Sequence, residues 1–366
     1  LGGKYQAISV GRVMTCVLGM VVRREREIRA FVKTPFYRVV SSIALEGESF
    51  EGEWRAVEGS RYFQSPVLYK ENGFKKKEDA QKLICELSTQ QPLICTVEKI
   101  ERKKENKNPP LLFNLAELQN VCSKLFKISP DETLSIVQDL YEKKLVTYPR
   151  TDARVLSTAV AKEIYKNISG LRNYPQAGEA AQGALELGAY KNIAKTRYTN
   201  DKQITDHYAI IPTGQGLGAL KGLSLTAQRV YETIVRRFLS IFYPPAVYQK
   251  VSLVTKMENE SFFSSFKVLL SEGYLKIAAN SFAKKSMAEA SGKTPESEGE
   301  GEVSCDEALL AALQKLKKGD ILNINGLGIK EGETSPPKRY NSGSMILAME
   351  NAGQLIEDED LRSQIK

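Results

Sequence analysis

Apolar positions along the chain recur first with a helical period. Val13, Cys16, Val17, Met20 and Val21 share one face, which predicts an amphipathic helix over residues 9–28, opened by Gly11-Arg12 and closed by Arg23-Arg24-Glu25-Arg26. The pattern then changes to strand-like segments at Phe36-Tyr37-Arg38-Val39-Val40 and Cys95-Thr96-Val97-Glu98-Lys99-Ile100, with a short helix at 77–87 between them. Lys103 to Pro110 is a charged, Pro-ended stretch and is expected to be a linker. A helical block follows. One helix is predicted at Leu115–Phe126. A second runs to Lys144, with Ser129 and Glu132 as a capping box and Pro130 at its first position. An extended piece at Leu145–Asp152 leads to a third helix, capped by Ser157 and running to Ile168. Helices joined in this way suggest a winged-helix or helix-turn-helix unit.

Residues 170–205, rich in Gly, Ala and Asn, predict a long loop with one weak helix. Residues 224–242 form an amphipathic helix with Val230, Ile234 and Phe238 inward, ended by Pro244-Pro245. Alternation predicts strands at Val247–Lys256 and Ser261–Leu270. The Ser, Gly and Glu-rich stretch 286–304 is expected to be a mobile acidic loop. A helix at 305–317, a strand at Ile321–Ile324 and a last helix at 344–355 complete the pattern, without an internal repeat.

A chain of 366 residues can hold two or three such domains. No run approaches the ~18 apolar residues that a membrane helix needs. The start, Leu1-Gly2-Gly3-Lys4, is neither a signal peptide nor an initiator Met, and suggests a piece of a longer protein. Charge is uneven. Residues 1–280 hold 41 Lys/Arg against 29 Asp/Glu, a net of +12, while residues 281–366 carry a net of −4. A basic surface of that size suits a polyanion, although a solvated lysine surface would give the same balance. Five scattered cysteines with no CxxC pair, and a single histidine, argue against a structural zinc site and for reduced thiols in a cytoplasmic protein.

Three segments could carry chemistry. In Thr147-Tyr148-Pro149-Arg150-Thr151-Asp152, Pro149 steers Tyr148 to extended backbone, so Tyr148, Arg150 and Asp152 would share a side. A phenol beside a guanidinium could attack phosphorus while the guanidinium holds the phosphate oxygens. A packed Tyr-Pro turn with an Arg150–Asp152 surface ion pair would have the same spacing. Asp206-His207 precedes the apolar Ala209-Ile210-Ile211, so His207 could serve in proton transfer or phosphate binding, or be a structural histidine before a buried strand. Ser9-Val10-Gly11-Arg12 opens a helix whose free N–H groups and arginine suit a phosphate, or is a plain helix entry. Gly214-Gln215-Gly216-Leu217-Gly218 lacks dinucleotide spacing. Ser291-Gly292-Lys293-Thr294 lacks the earlier glycine of a phosphate loop, with Met287 in its place.

Taken together and in order, these segments resemble the type IA DNA topoisomerases, in the topoisomerase III form. The resemblance rests on Ile8-Ser9-Val10-Gly11-Arg12-Val13, on Leu145-Val146-Thr147-Tyr148-Pro149-Arg150-Thr151-Asp152, and on Asp206-His207 with Ala209-Ile210-Ile211-Pro212-Thr213. Pro336-Pro337-Lys338-Arg339-Tyr340 and Met349-Glu350-Asn351-Ala352-Gly353 extend it to the end of the chain. Met14 stands where the family usually has Gln, and Tyr208 where a second histidine is frequent. The family's metal-binding acidic (TOPRIM) domain would precede Leu1, and its Gly-Ile-Gly motif would follow the last helix.

The resemblance implies an α+β multidomain fold, the family's open ring. In it, 1–34 and 331–366 would be parts of a gate domain, 35–105 and 245–330 a β-rich arch, and 106–244 a winged-helix-like domain carrying the active-site tyrosine. It implies ATP-independent cleavage and rejoining of one DNA strand through a 5′-phosphotyrosine at Tyr148. Arg150 and His207 would assist, and Ser9, Arg12, Thr151 and Asp152 would contact DNA. Mg²⁺ would be held by acids outside this chain, which alone would bind single-stranded or underwound DNA without activity. A helicase partner is compatible with the family but is not legible in these residues. The rival expectation is a non-catalytic winged-helix nucleic-acid-binding protein.

Overall fold

The structure is a computed structural model that describes residues 11–89, 91–283, 302–304 and 307–351. Strands from both strand-rich stretches join in one sheet. These are β1 (Pro35–Leu45), β2 (Glu48–Arg55), β3 (Leu68–Lys70), β4 (Gly73–Phe74), β5 (Ile94–Lys107), β6 (Ala246–Met257), β7 (Glu260–Ser271), β8 (Glu302–Ser304) and β9 (Ile321–Glu333). The order β2-β7-β6-β5-β9-β1 closes on itself because β1 also pairs with β2, so six strands form an antiparallel barrel. Closure leaves those strands without free edges. Alternate β1 residues Val39, Ser41, Ile43 and Leu45 point inward, as the two-residue strand period requires.

Trp54, Phe74, Phe262 and Phe266 fill this core, joined by Leu83 and Leu87 of α2 (Lys77–Leu87) and Leu310 and Leu313 of the helix Glu307–Lys315. Trp54 Nε1 donates to the fully buried Glu260 carboxylate at 2.6 Å, and the Arg61 backbone N–H donates to its other oxygen at 2.9 Å.

The second core is helical. It is built by α3 (Leu115–Phe126), α4 (Pro130–Glu142), α5 (Thr158–Glu163), α6 (Tyr165–Gly170), α7 (Gly178–Leu187) and α8 (Leu225–Ser240). Val230, Ile234 and Phe238 are fully buried on α8, as their spacing predicts. Ser129 caps α4 by accepting from the Glu132 N–H, with Pro130 at the start of the helix.

Three expectations are corrected, and a fourth is changed only at its end. Lys103–Lys107 is no linker but the end of β5, paired with β6 through Lys107↔Ala246; backbone pairing makes no demand on exposed charged side chains. In residues 170–205 the one expected helix is α7, but the rest is not a free loop: 3₁₀ turns help pack Ala177, Ala181, Ala184, Ile193 and Tyr198 into the helical core. The helix after Ser157 breaks at Ile164 into α5 and α6. Within the expected acidic loop, Glu302–Ser304 is strand β8, parallel to β7, and 286–301 lie outside the described residues.

Helix α1 (Arg12–Ala30) replaces the expected 9–28, and Ser9 lies outside the described residues. Arg24 bonds the Lys338 carbonyl, donates to Tyr340 Oη at 3.0 Å and lies over the Tyr340 ring, while Arg339 pairs with Glu25. That segment leads into the last described helix, Ser342–Glu350, which docks on α3 with Gly343 at the closest approach.

Candidate active site

Tyr148 sits where three pieces of chain converge. The Thr147 N–H donates to the Ile211 carbonyl at 3.0 Å. Its hydroxyl donates to the Ala209 carbonyl and accepts from the Ile211 N–H, each at 3.0 Å. Phe113 bridges Ile210 on the other side, so the buried Ala209-Ile210-Ile211 segment aligns both candidate loops. Beyond Tyr148 the side chains alternate. Pro149, Thr151 and Ala153 are buried, while Arg150 and Asp152 are exposed, which is the behaviour of the extended backbone that Pro149 favours.

This geometry brings Tyr148 and His207 together, with ring centroids 4.3 Å apart and planes inclined by 40°. Tyr141 of α4 packs edge-on against the same tyrosine ring at 5.5 Å. Arg150, Asp152, Asp206 and His207 line one cleft, floored by Leu115 and Gln119 of α3 and bordered by Glu350. Arg150 makes no ion pair or hydrogen bond among the described residues, so the alternative of an Arg150–Asp152 pair is not what forms. The Asp152 carboxylate instead accepts from the Thr205 hydroxyl at 3.3 Å. The start of α3, with its positive dipole end, borders the same cleft.

Thr151 lines the same cleft. It is buried, and its hydroxyl is committed internally: it donates to the His207 carbonyl at 2.7 Å and accepts from the Ala153 N–H at 3.1 Å. Tyr208 turns toward the helical core, and burial pushes its phenol above the usual tyrosine range. Arg12 is the first residue of α1. Spacing alone missed Asn114 and Glu350. Asn114 has a sequence signature, an Asn three residues before Glu117 at a helix start, and its side chain does accept from the Glu117 N–H at 2.9 Å. Nothing in the sequence connects it to Glu350, 236 positions away. Gly214 and Gly216, dismissed as a dinucleotide motif, hold positive φ at close backbone approaches to Asn167 and Lys143.

Among the described residues no three His, Cys, Asp or Glu side chains converge as metal ligands. The described residues therefore do not fit a Mg²⁺ site.

Residues 2–354 match the DNA topoisomerase family. The chain belongs to that family, as a type IA, topoisomerase III-like member. It is 32% identical over 359 residues to DNA topoisomerase 3 of Bacillus licheniformis and 31% identical over 359 residues to that of Bacillus subtilis. Each alignment covers 98% of this chain and 44% of the relative, so the chain spans less than half the length of these relatives. Its fold is similar to full-length topoisomerase I from Thermotoga maritima, with a TM-score of 0.60 at 22% identity, over 95% of this chain and 49% of the other.

Proposed function

We propose that the intact protein cleaves and rejoins one DNA strand without ATP, with Tyr148 as nucleophile. Tyr148 Oη attacks the phosphorus of a phosphodiester. The tyrosyl O–P bond forms, the P–O3′ bond breaks, and the strand leaves with a 3′ hydroxyl. The reverse attack by that hydroxyl restores the strand and frees the tyrosine, so the bond energy is kept in the phosphotyrosine between the two steps. Arg150 stabilises negative charge on the phosphate oxygens as it grows in the transition state. His207 hydrogen-bonds the phosphate or the departing oxygen. Asp152 orients the loop through Thr205. The observation that carries this reading is the contact of Tyr148 with His207, with Arg150 unpaired at the same cleft.

The described residues offer no set of Mg²⁺ ligands, so acids outside this chain would hold the ion in the intact protein. We infer that this chain by itself binds single-stranded DNA and does not relax supercoiled DNA.

A labelled oligonucleotide tests the nucleophile. In the full-length protein a covalent adduct should form and vanish in Tyr148→Phe, which keeps the ring and removes the attacking oxygen. Arg150→Ala should slow adduct formation by roughly a hundredfold with little loss of DNA affinity, as expected when one transition-state donor is removed. An adduct that survives Tyr148→Phe overturns the assignment. Tight DNA binding with no adduct at all would favour a non-catalytic binder.

A further inference from the structure

Asn114 is 1% exposed and bonds to three separate parts of the protein. Its Oδ1 caps α3 by accepting from the Glu117 N–H. One Nδ2 hydrogen goes to the Asp152 backbone carbonyl at 3.1 Å. The same nitrogen also bonds the Glu350 carboxylate, at the far end of the Ser342–Glu350 helix. A carboxamide nitrogen has two hydrogens, so the set is complete only when that helix is docked.

The closest approach of that helix to α3 is made by small and polar groups. A Cβ on Gly343 would lie 3.0 Å from Asn120 Cα, and Ser342 Oγ lies 3.5 Å from Ser123 Oγ. Gly343 is the helix's only buried residue. Met345, Ile346, Leu347 and Met349 of the same helix are half-buried. When this contact parts, the Asn114 amide loses its anionic acceptor and gains water. The Asp152 carbonyl, two residues from Arg150, then shares its donor with solvent.

We propose that Asn114 is a positioning residue that ties the set of the Arg150–Asp152 loop to the seating of the Ser342–Glu350 helix. The loop is held for cleavage and rejoining while the helix is docked, and slackens when it lifts. This rests on the strand-cleavage reading above. Its consequence there is that the covalent phosphotyrosine is protected from untimely chemistry whenever the helix is away from α3.

The test uses the full-length protein and two readouts. Asn114→Ser keeps an oxygen suited to capping and removes the amide. Glu350→Ala removes the acceptor, and Glu350→Gln keeps one. Amide hydrogen exchange at Thr151 and Ala153 should rise about tenfold in Asn114→Ser and in Glu350→Ala, no further in the double variant, and little in Glu350→Gln. Adduct formation on the oligonucleotide should slow by a similar ~10-fold factor in the same rank order, with DNA affinity unchanged. Exchange unaltered by Glu350→Ala, or effects that multiply in the double variant, would overturn the coupling and leave Asn114 a plain helix cap. If the wild type forms no adduct, the strand-cleavage reading falls, and the exchange measurement still decides the coupling.

Discussion

Thr151 shows how one hydroxyl can belong to the candidate site while bonding only within the protein. Its neighbours Arg150 and Asp152 project into the cleft, while its own oxygen joins the His207 backbone to the Ala153 N–H. Replacement by Val keeps the shape and leaves a carbonyl and an N–H unpaired in a buried place. Thr151→Val should cost about 1–3 kcal/mol of stability and slow adduct formation by displacing His207. Thr151→Ser should restore both, as read by denaturant unfolding and by the oligonucleotide assay. Equal behaviour of Val and Ser would show that the hydroxyl does not position the loop. The same alternation makes Tyr148 and Arg150 legible in the sequence, because Pro149 dictates extended backbone and extended backbone dictates the faces. It hides Asn114, whose importance comes from partners at Asp152 and Glu350 that no local pattern can name.

Elements with strong periodicity and explicit ends are legible in the sequence. The α4 cap, the inward face of α8 and the short α2 follow from Ser129-Pro130, from Val230/Ile234/Phe238 and from the 77–87 pattern. Elements stabilised by backbone pairing or by close approach are not. Strand β2 has alternating exposed charges and a glycine, yet Phe50 and Trp54 fall inward once the Glu46-Gly47 turn, with positive φ at both positions, folds it onto β1. In α7 the small residues that look loop-like permit close packing. A Cβ on Gly183 would lie 2.5 Å from Tyr243 Oη, which donates to the Ala180 carbonyl at 2.7 Å. Gly183→Ala should therefore destabilise the helical core by about 1–3 kcal/mol despite the better helix propensity of alanine. In the Tyr243→Phe background, where the hydroxyl is absent, the cost should largely disappear. A rise in the unfolding midpoint of the single variant would contradict this packing account.

Across the whole molecule, charge and cores divide the work. The barrel and the helical region each bury a separate hydrophobic cluster, and the net charge of +12 lies in residues 1–280, which include most of both. No described helix is long and apolar enough to cross a membrane. Single-stranded DNA binding by this chain should weaken steeply with added salt, since each neutralised phosphate releases counterion. Arg12→Ala should weaken it further and flatten the log–log salt slope by about 0.7. Fluorescence anisotropy with a labelled oligonucleotide measures both, and salt-independent binding would remove the electrostatic basis of the DNA reading.

By itself the sequence determined the helices with strong faces and caps, the extended set of Tyr148 and Arg150, and the basic balance, because each follows from interactions within a few residues or from counting. Only the tertiary structure decided that the two strand-rich stretches close into one barrel, that Tyr148 meets His207, and that Asn114 joins the Arg150–Asp152 loop to the last described helix. Those outcomes depend on pairings between residues tens to hundreds of positions apart, such as β1 with β9 and Asn114 with Glu350. Strand partners and hydrogen-bond partners at such separations are selected by packing, and packing is a property of the assembled core rather than of any segment within it.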